Sequence, residues 1–276
     1  AKVLDLFTKF KVKILGVHHS PFVGEEATIL VVVDVTESHM KPEEVLKELR
    51  KDVEVVNAEI LEPVLPGLLI DTSHFPLMIG VERAAIMSTL SLVGMLLDIR
   101  ERFGEEANTF IWYQGFSIGS RMYDYYAERL IEGLTPHYKI YILNLIAQML
   151  GWYRAEIVTI KFKEAEGVIR VYDSFECELL KKRGIRRGGS QFVRGILAGI
   201  YSKVFGKTVQ VYEVKCIARG DEYCEFNILP IDKYAKGQAK CPHCGSKKID
   251  FAGEDAEGFL IFTCRKCGFT WLEPPT

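Results

Sequence analysis

Two pairs of cysteines near the C-terminus have the spacing of metal-binding knuckles. The first pair is Cys241-Pro-His-Cys244 and the second is Cys264-Arg-Lys-Cys267. A glycine follows each pair, as the turn of a zinc knuckle requires. Thiolates are preferred ligands of Zn²⁺, and the two pairs supply the four that a closed structural site needs. The sequence therefore predicts a zinc ribbon that needs its ion in order to fold.

A second candidate metal site consists of Glu213, Cys216 and Cys224. A carboxylate and two thiols are groups that zinc accepts. Gly220-Asp221 lies between the thiols and is a turn signal, so a hairpin is expected to bring the three side chains together at one end. Cys177 is the other spare thiol, and it could take part only if its strand runs beside the hairpin. Three alternatives stay open: bound zinc, reduced thiols without metal, or a disulfide between the two hairpin cysteines if the host is a hyperthermophile.

The composition limits the class of protein that the chain can be. Its 276 residues are 48% hydrophobic and carry a net charge of −2. This is enough chain for a sizeable core in two or three domains, and the charge provides no bulk field that would attract nucleic acid or anionic lipid. No apolar run has the length of a membrane span, and the N-terminus lacks a signal-peptide layout. With four of the seven cysteines in metal-binding pairs, we expect a cytoplasmic protein.

Residues 1–66 are predicted to form a small α+β domain. Apolar and β-branched runs indicate strands over Lys11–Val17, Thr28–Val35 and Val53–Leu61. A helix is expected over Pro42–Arg50, because proline favours the first turn and two glutamates follow it. The resulting ββαβ order resembles that of ACT-type ligand-sensing modules. A plain dimerisation or packing domain is the alternative.

Residues 68–232 are predicted to form a larger domain of mixed α and β structure, and residues 238–276 form the ribbon. Helical spacing of apolar residues favours four helices: Val81–Phe103, Asn108–Leu130, Lys139–Leu150 and Gln191–Phe205. Strands are expected over Ala155–Phe162 and Val168–Tyr172, ahead of the hairpin. Two helices carry glycines four residues apart, a spacing that lets another backbone or a ligand approach closely. These glycines are Gly115, Gly119, Gly195 and Gly199.

Six short motifs of this region occur in the order seen in the 4-vinyl reductase domain. They are Gly80-Val-Glu-Arg83, Phe103-Gly-Glu-Glu-Ala107, Gly115-Phe-Ser-Ile-Gly119, Asp173-Ser-Phe-Glu176, Gly195-x-x-x-Gly199 and Glu213-x-x-Cys216-x7-Cys224. The chain therefore resembles that family, which includes archaeal hydrocarbon-binding proteins and the phenol-sensing domains of bacterial activators. It is also similar to the TRAPP vesicle-tethering subunits, whose α/β fold carries a lipid tunnel.

The resemblance implies an apolar ligand between the sheet and the helices. The residues expected to line that pocket are mostly aromatic: Trp112, Tyr113, Phe116, Trp152, Phe192, Ile196 and Val211. Ordinary core packing is the alternative for each of them. The resemblance also implies a structural zinc on Glu213, Cys216 and Cys224, with a fourth ligand at the start of the preceding helix. That position is Ser190 in this chain, and serine is a poor zinc ligand.

The sequence favours binding over catalysis. It contains no glycine-rich cofactor loop, no P-loop and no Ser/His/Asp motif, and a four-thiolate ribbon is coordinatively closed. We expect a cytoplasmic, homodimeric regulator or sensor that binds a small apolar ligand. Its ribbon is expected to contact a partner, either a protein or a nucleic acid. The alternatives are an assembly or tethering adaptor without a free ligand and, less favoured, a reductase-associated enzyme.

Overall fold

The computed structural model describes residues 2–19, 26–52, 54–65, 68–72, 74–79, 82–104, 106–186, 189–231, 233, 239–241, 243–254 and 260–273. The chain divides into two units, Ala1–Ile86 and Met87–Thr276. This division falls C-terminal to the boundary predicted near residue 67, and the three domain limits stay predictions. No helix in the described part of the chain is both long and apolar enough to cross a membrane.

Two helices and a two-stranded antiparallel sheet begin the first unit. In chain order they are α1 (Lys2–Lys9), β1 (Lys13–His19), β2 (Ile29–Asp34) and α2 (Pro42–Leu49). Pro42 stands in the first turn of α2, and the Glu44 carboxylate accepts the backbone N–H of Lys41 at 2.9 Å, which closes that end of the helix. The two predicted strands and the predicted helix are confirmed, whereas α1 lies outside the predicted elements. The buried core is small and consists of Phe7, Val12 and Val45.

The third strand predicted over Val53–Leu61 is wrong. Val53 lies outside the described residues, and residues 54–61 form neither a strand nor a helix. Val56 is 77% exposed, and none of the described apolar residues of this segment is fully buried, so the segment lacks the buried face of a core strand. Arg50 Nη2 donates to the carbonyl oxygen of Ala58 at 2.6 Å. The element order over residues 2–49 is αββα, so the ββαβ order of an ACT-like domain is not found among the described residues.

The first helical stretch of the second unit begins later than predicted. A short hairpin ends the first unit at the predicted helix start, and its strands are β3 (Met78–Ile79) and β4 (Glu82–Arg83). The helix starts after Ser88, whose hydroxyl accepts the backbone N–H of Ser91 at 3.4 Å. It has three successive parts: α3 (Thr89–Leu92), a π-helical turn (Val93–Asp98) and α4 (Ile99–Phe103). Gly104, with φ of 66°, ends it as predicted.

A four-stranded antiparallel sheet and four helices make up most of the second unit. The helices before the sheet are α5 (Glu106–Met122), continued by a π-helical turn (Tyr123–Leu130), and α6 (Pro136–Met149). The remaining elements are β5 (Arg154–Lys161), β6 (Glu166–Tyr172), α7 (Phe175–Lys182), α8 (Phe192–Phe205), β7 (Val209–Lys215) and β8 (Cys224–Pro230). The strand order is β5-β6-β8-β7, so β5 and β7 are the edges. The predicted hairpin is confirmed as β7–β8, while α7 was not among the predicted elements.

Helices α5 and α8 pack backbone to backbone through their glycines. A Cβ atom on Gly195 would lie 2.1 Å from the carbonyl oxygen of Trp112, and one on Gly115 would lie 2.1 Å from that of Phe192. Gly119 and Gly199 are as crowded against the facing helix. Another backbone therefore occupies the strip of small residues that the sequence predicts.

The C-terminal elements form a three-stranded antiparallel sheet. Its strands are β9 (Ile249–Glu254), β10 (Leu260–Cys264) and β11 (Thr270–Glu273), with β10 in the middle. Leu260 and Phe262 point from β10 into a small core that also contains Ile249. Cys241 and Cys264 are buried in the same core, so the thiols are part of the packing.

Candidate metal centres and the helix–sheet core

The four ribbon thiols lie together. Two left-handed glycines, Gly245 and Gly268, close the two knuckles by donating to the carbonyl oxygens of Cys241 and Cys264 at 2.8 and 2.9 Å. The Sγ atoms of Cys241 and Cys267 are 3.6 Å apart, and those of Cys244 and Cys264 are 3.7 Å apart. All four ligand atoms lie within 4.8 Å of one another. Four sulfurs held about 2.3 Å from one ion in a tetrahedron would lie about 3.8 Å apart, so the arrangement fits a four-thiolate metal site.

Local electrostatics favours a thiolate in this cluster. Burial opposes ionisation of Cys264, but the backbone N–H groups of Cys267 and Lys266, together with the thiols of Cys267 and Cys244, outweigh it and lower the pKa of the Cys264 thiol to about 6. The N–H of Lys266 points at the Cys264 sulfur from 3.4 Å. Metal ligation requires the deprotonated form, so this turn prepares the ligand.

The second centre is built at the turn end of the β7–β8 hairpin. After β7 the chain makes a turn in which Asp221 accepts the backbone N–H of Cys216 at 2.7 Å, and Gly220 adopts φ of 104°. This turn places Cys216 and Cys224 side by side, with their sulfurs 4.0 Å apart. Glu213 precedes them on β7. The hairpin therefore brings the three predicted residues together.

Cys177 completes this centre from a helix. Cys177 is predicted from the sequence to lie on a strand, whereas it lies in the first turn of α7 after the capping residue Ser174. Its Sγ atom is 3.5 Å from that of Cys216 and 3.8 Å from Oε1 of Glu213. The ligand atoms of Cys177, Glu213, Cys216 and Cys224 all lie within 4.8 Å of one another. Three thiols and a carboxylate are a donor set that suits zinc.

Ser190 is close to the centre but its hydroxyl has another partner. The hydroxyl donates to Oε2 of Glu176 at 2.7 Å, while its backbone N–H donates to Oε2 of Glu213 at 3.3 Å. Ser190 therefore orients a candidate ligand through its backbone, and its side chain is engaged elsewhere. The fourth donor atom that lies within 4.8 Å of the other three belongs to Cys177, whereas the resemblance assigns that position to residue 190.

Burial and mutual repulsion oppose ionisation of the acidic groups of the second centre. Burial raises the pKa of Glu213 to about 9, and the neighbouring Cys216 contributes to this rise. Arg219 lies 3.9 Å from this carboxylate and opposes the shift. Burial opposes full ionisation of one carboxyl and three thiols at this place, and a divalent metal would supply compensating positive charge.

Glu176, next to Cys177, links the second centre to helix α8. Its side chain is fully buried and pairs with Arg100 Nη2 at 2.5 Å. Its two oxygens also accept the backbone N–H groups of Gln191, Phe192 and Val193 at 2.8, 3.1 and 2.9 Å. One carboxylate thus satisfies the free N–H groups at the start of α8. The sequence analysis missed this role, although Ser174 followed by acidic residues is a recognisable helix start.

The residues of the second centre lie within one region that matches a known family. Residues 168–230 match the family model of the vinyl-4-reductase domain, also called the 4-vinyl reductase domain. This vinyl-4-reductase region runs from β6 to the end of β8 and includes Cys177, Glu213, Cys216 and Cys224. The predicted resemblance to that domain is confirmed over these residues.

Comparison with other proteins extends the likeness beyond the vinyl-4-reductase region. An uncharacterized protein of Methanocaldococcus jannaschii is 30% identical over 93 residues, which are 33% of this chain and 53% of that protein. The chain therefore spans about half the length of the curated relative that it matches. The phenol-responsive sensory domain of the transcription activator PoxR, solved with phenol, is similar with a TM-score of 0.51 at 20% identity, covering 58% of this chain and 83% of that one. This match shows a shared fold and confirms the mixed α and β class of the central region.

Two further solved structures are more distant. A trafficking protein particle complex subunit 3 from Naegleria fowleri, covalently bound to palmitic acid, is 18% identical with a TM-score of 0.37 and covers 51% of this chain and 90% of that one. A vinyl-4-reductase family protein from Methanocaldococcus jannaschii is also 18% identical with a TM-score of 0.37, covering 54% of this chain and 85% of that one.

The seven residues predicted to line a ligand pocket fall into different environments in and beside the vinyl-4-reductase region. Trp112, Ile196 and Val211 are fully buried in the main core, whereas Tyr113 is 46% exposed. Phe116 stacks on Trp112 with ring centroids 5.2 Å apart. It also lines an open groove of about 410 Å³ near the C-terminal end of α8. A second pair, Trp152 and Phe192, meets edge to face at 6.5 Å. The assignment of these residues to a ligand stays a prediction.

A second groove, which the sequence analysis does not identify, lies between α6 and the edge strand β5. Its volume is about 290 Å³. Asn144, Leu145 and Gln148 line it from α6, and Ala155 and Ile157 line it from β5. The sequence contains no local signal for this groove, because it exists only where the helix crosses the strand.

Proposed function

We propose that the second unit binds a small apolar molecule and that the protein acts as a regulator or sensor. The observation that carries this proposal is the fold shared with the PoxR sensory domain, which was crystallised with phenol. The vinyl-4-reductase match over residues 168–230 supports it. The seven free cysteines support action in a reducing compartment such as the cytoplasm.

We further propose that the ribbon cluster holds one structural zinc ion and contacts a partner. The sulfur spacing and the closed four-thiolate set support a structural role over a catalytic one. The ribbon's basic side chains are few: Lys240, Lys247, Lys248, Arg265 and Lys266. Arg265 pairs with Asp250, which removes part of that charge. A protein partner therefore suits the ribbon better than nucleic acid.

A second zinc ion is proposed at Cys177, Glu213, Cys216 and Cys224. The proposal is supported by the mutual distances of the four ligand atoms and by the crowding of acidic groups there. The ion would tie α7 to the β7–β8 hairpin and so hold the sheet against the helices. It would act as a structural cross-link in the ligand-binding unit.

The test of the main proposal is ligand binding by the full chain. Native mass spectrometry of the purified protein reveals any co-purified molecule, and calorimetric titration with phenols, fatty acids and isoprenoids measures affinity. We expect at least one class to bind in the micromolar range or tighter, corresponding to about −8 kcal/mol. Absence of both a co-purified molecule and any binding heat would contradict a sensor.

The second candidate function is a homodimeric assembly or tethering adaptor. The close glycine packing of α5 on α8 favours it, because it leaves little space between these helices. A row of exposed apolar side chains along α6 also favours it: Tyr138, Tyr141, Leu145 and Met149. Their spacing places them on one face of the helix, as a contact surface requires.

Light scattering separates the two candidates further. An adaptor that dimerises through α6 should become monomeric when Leu145→Glu or Met149→Glu is introduced, while Lys139→Glu, on the same helix, should leave the mass unchanged. A protein that is monomeric before mutation and that binds an apolar ligand would exclude this alternative.

A further inference from the structure

Two tyrosine hydroxyls lie buried in the core of the second unit, and no described residue gives either of them a hydrogen bond of normal geometry. Tyr153 is 2% exposed and Tyr201 is fully buried. Among the residues that the structure describes, neither hydroxyl has a partner in hydrogen-bonding geometry. Removing a hydroxyl from water without giving it a partner is unfavourable, so native proteins rarely keep such groups. The pair therefore needs an explanation other than packing.

Both tyrosines are close to residues that line the groove between α6 and β5. Tyr153 directly precedes β5 and alternates with Ala155 and Ile157, which line the groove, so the three share one face of the strand. Tyr201 extends from α8 towards Asn144, a buried residue of α6 that also lines the groove. Asn144 thus connects the two buried tyrosines with the groove, which it lines while they do not.

The polar groups at this place are neutral and can donate as well as accept hydrogen bonds. Burial raises the pKa of both tyrosines, and the neighbouring Tyr153 adds to the rise at Tyr201, so both stay protonated at physiological pH. A tyrosine hydroxyl can donate one hydrogen bond, and the Asn144 amide can donate as well. Of the residues that line the groove, none is lysine or arginine and one, Glu156, is acidic. An anionic ligand would meet no permanent counter-charge here.

We propose that Tyr153 and Tyr201 form the polar end of a ligand site that is reached through the α6–β5 groove. The ligand class that fits is a small apolar molecule bearing one uncharged carbonyl oxygen, such as a ketone, an aldehyde or a quinone. The carbonyl accepts from the tyrosines, and the apolar remainder lies against Ala155, Ile157 and Leu145. This inference rests on the proposed function and specifies the site and the ligand class.

The experiment compares acetophenone, ethylbenzene, benzoate and phenol in calorimetric titrations of the full chain. Each probe contains one benzene ring, and the probes differ in the group attached to that ring. We expect acetophenone to bind at least about threefold more tightly than each of the others, which is the contribution of about one neutral hydrogen bond. Tyr153→Phe and Tyr201→Phe should each lower the acetophenone affinity about three- to tenfold and leave the ethylbenzene affinity unchanged. Tyr138→Phe, which removes an exposed hydroxyl from α6, is the matched control.

Thermal unfolding of the free protein provides a second, independent readout. A buried hydroxyl without a partner is unfavourable, so both Phe variants should unfold at the same temperature as the parent or at a higher one. A lower midpoint would show that the hydroxyls are already hydrogen-bonded in the free protein, for example to internal water, and would overturn the inference.

The possible failures are distinguishable. Equal affinities for acetophenone and ethylbenzene, with no effect of the Phe variants, would overturn this inference and leave an apolar-ligand binder. Tighter binding of phenol or benzoate than of acetophenone would overturn the carbonyl class. Failure of all four probes and of the wider ligand panel to bind would overturn both the proposed function and this inference.

Discussion

The sulfur atoms of Cys177 and Cys216 lie 3.5 Å apart although the residues are 39 positions apart in the sequence. Helix α7 carries the first and the β7–β8 hairpin carries the second. Glu213 and Cys224 complete the cluster, while Ser190 contributes a backbone N–H to Glu213. Because of this contact, the candidate metal centre of the central region contains three thiols.

Metal analysis should find two zinc ions per chain in the purified protein. Cys177→Ser should reduce the content to about one, because the second centre loses a thiolate that is already in place. Ser190→Ala removes a hydroxyl that bonds Glu176 and should retain two ions. Plasma mass spectrometry of chelator-washed protein makes the measurement. One ion in the parent protein, or two in Cys177→Ser, would show that Cys177 is not a ligand.

Zinc removal should unfold the ribbon. Its core is small, and two of its buried members are the thiols Cys241 and Cys264, so the binding free energy of the ion, about 10–16 kcal/mol for comparable peptides, is largely folding energy. Cys264→Ser should abolish one zinc and the amide protection of β9–β11. His243→Ala should retain both, because His243 is exposed and stacks on Phe269 away from the thiols. Hydrogen exchange with mass spectrometry measures this protection, and a ribbon still protected after zinc removal would refute the prediction.

Glu176→Gln should lower the free energy of unfolding by about 3–5 kcal/mol. The substitution leaves Arg100 as a buried charge without its partner and turns an amide N–H towards the N–H groups at the start of α8. Glu178→Gln, on the exposed side of the same helix, should change stability by less than about 0.5 kcal/mol. Urea unfolding followed by circular dichroism measures the difference. Equal effects of the two substitutions would show that the buried pair is not important for stability.

Adding Arg100→Met to Glu176→Gln should recover part of this loss. The second substitution removes the charge that the first leaves uncompensated, so the double variant should be more stable than Glu176→Gln alone. Simple additivity of the two single effects would argue against direct coupling between these residues.

Gly195→Ala should destabilise the second unit by about 3 kcal/mol or more. The new Cβ would meet the backbone oxygen of Trp112, and two packed helix backbones cannot separate without losing their other contacts. Gly94→Ala is the control, since its Cβ would meet its nearest neighbour, Asp98, at 3.9 Å. That variant should be neutral or stabilised by up to about 1 kcal/mol. Urea unfolding of both proteins checks the prediction, and similar midpoints would contradict the close helix crossing.

The sequence alone was sufficient for features that depend on neighbours in the chain. The two Cys-x-x-Cys pairs with their glycines predict the C-terminal cluster of four thiols, because a knuckle is closed by residues within one turn. The Gly220-Asp221 turn likewise predicts the β7–β8 hairpin and the meeting of Cys216 with Cys224. The glycine spacing on α5 and α8 predicts that another backbone or a ligand approaches these helices closely, but it does not identify which of the two does so.

Features that depend on distant contacts were missed or misplaced. The strand predicted over Val53–Leu61 has the right residue types, but Val56 has no core face to cover. The start of α8 has no side-chain cap of its own, and its N–H groups are satisfied by Glu176 from another helix. Neither fact is encoded in the local pattern.

For cysteines that lie within one turn or one hairpin, the spacing along the chain was enough to predict which of them could bind the same ion. Only the tertiary structure decided that Cys177 joins Glu213, Cys216 and Cys224, and that Tyr153 and Tyr201 are buried in the same core. The physical reason is that backbone geometry fixes the relative positions of only a few consecutive residues. Contacts between separate elements depend instead on how the helices and the sheet pack as a whole.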